Sequence, residues 1–250
     1  TLRKGFFQFE IGVQSTNPQT MAAIHRQVNF ERLAKTVKKI HCGGNIHQHL
    51  DLIAGLPNED YDSFGRSFND VYQLAPEQLQ LGFLKVLEGT YLAAHRQQWG
   101  IIFRDYAPYE VLATNMLTPE DVFRLKRIEE MVETYYNSGK FIQTLDYIVP
   151  FYDNPFAFYE KLGDYWQTNS YHYRSNSKLT LCDILYQFIQ QNNAIDETIF
   201  KWRLKFDLCL HEKPKKLPQW LNDDLNSLYR TAIVDFYRHE SRWIHYLPHY

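Results

Sequence analysis

The sequence predicts an α/β fold: a partial (β/α) barrel of about three βα units over residues 1–105, followed by an all-α domain over residues 106–250. Stretches that alternate apolar and polar residues recur between stretches with helical spacing, which is the pattern of βα units around a parallel sheet. Each alternating stretch has one polar face, so the sheet is expected to curve, with apolar residues under the helices and polar ones lining a cavity. Beyond about Trp99 only helical patterns remain.

The first strand is expected over Phe6 to Gln14, because Phe7, Phe9, Ile11 and Val13 alternate with Gln8, Glu10, Gly12 and Gln14. Asn17-Pro18 then starts a short helix running through Ile24, since an Asx side chain caps free amides and proline fits the first helical position. Asn29 caps a second helix with Leu33, Val37 and Ile40 at helical spacing, and Gly43-Gly44 stops it. A second strand covers Ile46 to Ala54 and puts His47, His49, Asp51 and Ile53 on one face. After the Gly55-Leu56-Pro57 turn come a helix from about Asp60 to Leu74 and a third strand near Leu79 to Leu87. Thr118-Pro119-Glu120-Asp121 opens a helix ending near Gly139, with Val122, Leu125, Ile128 and Val132 as its apolar stripe. Further helices are expected at about 154–167, 178–191, 195–210 and 222–240. The aromatics Phe156, Phe158, Tyr159, Tyr165, Trp166, Tyr171 and Tyr173 are expected to form a core between helices rather than a base-stacking platform, because few basic residues interleave with them.

Composition bounds the function. The 250 residues are 44% hydrophobic and 22% charged with a formal charge of −2, and no apolar run reaches the roughly 20 residues of a membrane span. That charge offers no general field for nucleic acid, and Lys213, Lys215 and Lys216 read as a solvated loop. Three distant cysteines, Cys42, Cys182 and Cys209, form neither a disulfide framework nor a cysteine-based metal site. They read as small buried hydrophobes and point to the reducing cytoplasm. The chain opens on Thr1 almost directly into a strand, which suggests an excised piece.

The residues for chemistry lie on the polar strand faces. Glu10 and Gln14 would stand beside His47, His49 and Asp51, a set able to hold hydroxyl and amino groups, and Arg26 could clasp a carboxylate with its planar fork.

Taken together, Phe9-Glu10-Ile11-Gly12-Val13-Gln14-Ser15, His25-Arg26-Gln27, Leu50-Asp51-Leu52-Ile53-Ala54-Gly55-Leu56-Pro57 and Leu87-Glu88-Gly89-Thr90 resemble the later barrel strands of radical S-adenosylmethionine (SAM) enzymes. The likeness is to the branch that holds oxygen-independent coproporphyrinogen oxidase and cobalamin-binding radical SAM proteins, and it covers about residues 5–92. It implies that Gln14, Arg26 and Asp51 contact SAM. It also implies that Gly55 and Pro57 are turn residues bringing backbone close to the adenine, and Glu10 joins them as a cofactor-binding residue of the same face. The helical remainder, with Phe206-Asp207-Leu208-Cys209-Leu210 and Pro218-Gln219-Trp220-Leu221, is similar to an uncharacterised C-terminal domain found after such domains. The resemblance further implies SAM and a [4Fe–4S] cluster in a longer parent protein, with cobalamin left open because its domain would lie upstream. The partner it implies is the missing N-terminal barrel half of the same polypeptide; the substrate stays unnamed.

The family holds its cluster on a CxxxCxxC motif, and this sequence has none, so the chain by itself is expected not to cleave SAM. Two other readings stand beside this one. His47-x-His49-x-Asp51 could serve a metal-dependent hydrolase, or the aromatic helical half could be a non-catalytic interaction module. A fragment of three βα units has open sheet edges, so it would form a homodimer, rearrange, or have its edge covered by the helical domain.

Overall fold

The alternating stretches become a parallel three-stranded sheet in the computed structural model, which describes residues 6–173, 175–211, 217–221 and 229–239. Its strands are β1 (Phe7–Gln14), β2 (Ile46–Ala54) and β3 (Gln78–Phe83), in that spatial order. Paired positions of a sheet share a face. The register Glu10↔His49, Gly12↔Asp51 and Asp51↔Gln80 therefore makes one face polar. On the other face Leu50, Leu52, Leu79 and Leu81 are buried.

The connecting helices start and stop where side chains can satisfy their free ends. In α1 (Pro18–Ala23) Asn17 accepts from Gln19 N, and in α2 (Phe30–Gly43) Asn29 accepts from Arg32 N at 2.9 Å. Gly44 ends α2 in the left-handed conformation at φ 63°. Asp60 caps α3 (Tyr61–Tyr72) by accepting from Ser63 N at 2.7 Å.

The third strand is shorter than expected. Its ladder to β2 stops at Phe83, and the chain then turns aside, so that Val86 N donates to Tyr109 O and Val111 N to Leu84 O. Past the short helix α4 (Tyr91–Ala94), the expectation of purely helical structure beyond Trp99 is overturned by an antiparallel pair, β4 (Ile102–Phe103) and β5 (Val111–Ala113). Strands of two and three residues are too short for alternation to be read. Leu56, Leu84, Val86, Trp99, Ile101 and Val111 form one buried cluster around them.

α5 (Pro119–Met131) starts at a reciprocal capping box between Thr118 and Asp121, and Val122, Leu125 and Ile128 are buried on its expected stripe. It does not continue regularly to Gly139 but passes into a π-helical stretch, Val132–Asn137. That stretch delivers Asn137 to the outer edge of β3, where its amide donates to Leu79 O and accepts from Leu79 N, both at 2.9 Å. One edge of the sheet is thereby capped by a side chain. Among the described residues, β1 at the other edge pairs with no strand but β2.

The chain forms two compact units, Thr1–Asn137 with Asp153–Thr168, and Ser138–Tyr152 with Asn169–Tyr250. This division differs from the expected boundary after residue 105, because α5 and α7 (Pro155–Thr168) pack with each other and α7 packs on α3. Arg124 of α5 pairs with Glu160 of α7 and lies over the Tyr61 ring, whose hydroxyl donates to Glu160 at 2.6 Å. Phe156, Phe158, Tyr159 and Trp166 are buried in the first unit as expected, whereas Tyr173 is 81% exposed, against its expected place in a core.

The second unit contains α6 (Ile142–Ile148), α8 (Lys178–Ile189), α9 (Glu197–His211) and α10 (Arg230–Arg238). α6 has no side-chain cap of its own. Asp207 of α9 supplies one, accepting from Gln143 N at 3.1 Å and from Thr144 N and Oγ1 at 2.8 and 2.7 Å. Trp220 donates to Asp183 at 2.8 Å and stacks on Tyr186. Lys213, Lys215, Lys216 and the stretch 222–228 of the expected last helix lie outside the described residues. No described helix is long and apolar enough to cross a membrane.

Candidate functional site

β1 ends in an irregularity that re-aims its last side chains. The ladder to β2 runs in step through Gly12↔Asp51 and then shifts, so that Gln14 pairs with Leu52. An extra residue in one strand bends it and redirects the side chains beyond the bend. Gln14 adopts a left-handed conformation at φ 70°, which costs a residue bearing a β-carbon about 1–2 kcal/mol. Its carboxamide returns over Gly12: a β-carbon there would stand 2.6 Å from Gln14 Nε2 and 3.6 Å from Arg26 Nη1. Gly12 thus leaves the space above the strand that the amide occupies and the guanidinium borders. Arg26 is exposed and borders an open groove of about 1120 Å³ with Ile11, Met21 and Val37.

On the neighbouring strand His49 is 8% exposed and Asp51 half-buried. His49 Nε2 lies 3.2 Å from Asp51 Oδ1, but the two are not aligned for a hydrogen bond. Both ring nitrogens of His49 and Asp51 Oδ1 are buried without a hydrogen-bond partner among the described residues. Burial pushes the Asp51 carboxyl above its ordinary value; the His49 ring beside it opposes this and the Glu10 carboxylate reinforces it. Buried polar atoms left unpaired cost free energy until something satisfies them, so this pair is an open set of acceptors and donors.

Glu10, Gln14, Arg26 and Asp51 are therefore gathered around Gly12 on one end of the polar face. Gly55 stands apart, beyond the end of β2. It has φ 89°, and a β-carbon on it would lie 2.7 Å from Val111 Cγ1, so its lack of a side chain is required by the turn and by the packing of Val111.

The chain's donor set fits SAM and does not fit an iron–sulfur cluster. Glu10 and Asp51 can accept from hydroxyl and ammonium groups, Gln14 can donate and accept, and Arg26 matches a carboxylate. Of the cysteines, Cys42 is exposed, contrary to its expected burial, Cys182 is buried in α8 and Cys209 is half-buried in α9. Burial pushes the Cys209 thiol up, away from the thiolate that a metal requires. As for the hydrolase reading through His47, His49 and Asp51, no group of three or more His, Cys, Asp or Glu among the described residues could hold a metal ion. Alternate residues of a strand are about 6.6 Å apart along it, which keeps three of them from converging on one ion.

Sequence reasoning missed the cluster behind Gln14. Glu59 is fully buried, and its Oε1 accepts from Ser15 Oγ at 2.5 Å and Ser67 Oγ at 3.1 Å. The visible signal was an acidic residue between the Gly55-Leu56-Pro57 turn and the helix expected from about Asp60.

Three kinds of comparison relate the chain to known proteins. A family model described as "Protein of unknown function (DUF4080)" matches residues 97–250. An oxygen-independent coproporphyrinogen III oxidase from Helicobacter pylori is 25% identical over 161 residues, covering 57% of this chain and 35% of the oxidase. A heme chaperone HemW from Mycobacterium tuberculosis is 32% identical over 89 residues, covering 36% of this chain and 23% of the chaperone. The chain thus spans about a third or less of the length of these curated relatives. A solved structure of coproporphyrinogen III oxidase (HemN) from Escherichia coli, described as a radical SAM enzyme, aligns with a TM-score of 0.38 at 22% identity, covering 54% of this chain and 27% of that one. The likeness to the coproporphyrinogen oxidase branch read from the sequence is thus also found among these relatives.

Proposed function

We propose that this chain, which belongs to the DUF4080 family, carries the SAM-facing later strands of a radical SAM enzyme whose cluster-bearing half lies outside these 250 residues. The observation that carries the reading is the approach of both the Gln14 carboxamide and the Arg26 guanidinium to Gly12, which pairs with Asp51. Arg26 would hold the carboxylate of SAM through charge-assisted hydrogen bonds. Glu10 and Asp51 would accept from its ammonium and hydroxyl groups and balance its sulfonium charge. Gln14 would fix the orientation of the bound molecule by donating and accepting at once.

The open edge of β1 supports a partial barrel, because a further strand could pair there. Phe7 and Phe9, 43% and 41% exposed on the apolar face, would then be covered by the neighbouring helix. In enzymes of this kind the cluster and SAM together supply a 5′-deoxyadenosyl radical; the cysteines here do not fit that cluster, so the chain alone is inactive in this reading. Cobalamin is not part of the proposal, and the substrate is unassigned.

The test is anaerobic reconstitution of the longer polypeptide, measuring iron, sulfide and SAM cleavage for wild type, Gln14→Ala and Asp51→Ala. A four-iron cluster with cleavage weakened by both substitutions is expected. Absence of both cluster and cleavage overturns the reading, as does 5′-deoxyadenosine formation by the 250-residue chain for its inactivity.

A further inference from the structure

Gln14 sits in an unfavourable backbone conformation with its amide over Gly12. Before it, β1 is locked to β2. After it, every residue of the next three is tied to the segment from Asn58 to Asp70. Ser15 Oγ donates to Glu59 and accepts from Asn17 N at 3.0 Å. Thr16 N donates to Ser67 Oγ at 3.1 Å and its hydroxyl to Asp70 at 2.7 Å. Asn17 Nδ2 donates to Asn58 O and Ser63 Oγ at 3.0 and 2.9 Å.

At the centre of these contacts is the Glu59 carboxyl, which binds Ser15 and Ser67 through one oxygen while Oε2 is buried without a partner among the described residues. A conformation of this kind persists only where its surroundings over-determine it. Hydroxyls alone could bridge β1 and α3, so a wholly buried carboxyl that joins both serines calls for a further role.

We propose that Glu59 is a positioning residue for Gln14: through Ser15 and Ser67 it fixes the turn that holds Gln14 left-handed, with its carboxamide over Gly12 and beside Arg26. The contacts stand by themselves; that the positioned amide serves a SAM site rests on the function proposed above. Burial pushes Glu59 up to about 7, with the Ser15 and Ser67 hydroxyls and Arg66 opposing and Asp60 adding to the rise. Of the other charged groups on the cluster, Asp70 is held by Thr16. The position of Gln14 should therefore respond to the protonation of Glu59.

The test follows the Gln14 side-chain amide by nitrogen-15 NMR in the 250-residue chain, the signal being assigned by its loss in Gln14→Ala. Glu59→Ala and Ser15→Ala are expected to shift the Gln14 amide pair while the remaining amides keep their folded dispersion. Glu59→Gln should leave the pair close to its wild-type position at pH 5. In wild type the pair should titrate with a midpoint near 7, and this titration should vanish in Glu59→Gln. A Gln14 pair unmoved by Ser15→Ala and Glu59→Ala, or a titration that survives in Glu59→Gln, overturns the positioning role. The SAM reading is separated by calorimetric titration of the longer, cluster-loaded polypeptide with SAM. There Gln14→Ala and Glu59→Ala should each weaken affinity about tenfold, and less than additively when combined. Weakening by Gln14→Ala alone would refute the positioning role for that ligand, and weakening by neither would refute the SAM reading while leaving the NMR result to stand.

Discussion

Asn137 meets Leu79 as a neighbouring strand would, one amide giving and receiving a hydrogen bond with the same backbone residue. The edge of β3 is thereby capped at Leu79, while among the described residues β1 pairs with no strand but β2. Leu79 is fully buried, so losing the amide leaves a donor and an acceptor to find other partners. Asn137→Ala should cost about 1–2 kcal/mol. Asn137→Asp should cost more, because the second oxygen would face Leu79 O with Glu133 close by, where Asn137 now donates to both. Urea unfolding checks the order, and an Asp variant as stable as the Ala variant would show that this amide does not hold the edge.

Much of this architecture was legible because it is local. Asn17, Asn29 and Thr118 announced helix starts by side chains capping within their own turn, and Gly44 announced a stop. Alternation placed Glu10 and Asp51 on one face, and the sheet register keeps them there. What could not be read depends on distant residues or on very short elements. The bulge that turns Gln14 back over Gly12 is a matter of strand register, and Gly12 itself carries no pattern. β4 and β5 are held by pairing with each other and with residues around Leu84 rather than by their own composition. α6 was invisible because its cap, Asp207, lies in another helix.

That cap makes a sharp prediction about the second unit. Asp207 satisfies three donors at the start of α6 and is itself 1% exposed. Asp207→Ala strands those donors in a buried place and should destabilise the protein by about 2–4 kcal/mol. Asp207→Asn keeps one acceptor oxygen, and burial already pushes the native carboxyl above its ordinary value despite the bonds from Thr144 and Gln143, so a neutral group should be tolerated better. Denaturant midpoints for the two variants test this; equal losses would mean that charge, rather than acceptor geometry, holds α6.

Glu59 should leave its signature on stability as well as on Gln14. Its folded value is about 7 against an ordinary 4.5, raised first by burial. A carboxyl raised on folding stabilises the folded state fully below its unfolded value, and that stabilisation is lost as pH rises through the folded value. The window is therefore pH 4.5 to 7, and the loss across it is on the order of 3 kcal/mol. Other carboxyl groups contribute their own slopes, so the informative quantity is the difference between wild type and Glu59→Gln. A glutamine keeps an oxygen for the two serine hydroxyls and cannot ionise. Relative to wild type it should gain stability as pH rises from 4.5 to 7 and level off above that, read from urea unfolding at each pH. Parallel profiles would mean that Glu59 keeps an ordinary carboxylate in the folded protein, with its charge satisfied by solvent or by a partner other than Ser15 and Ser67.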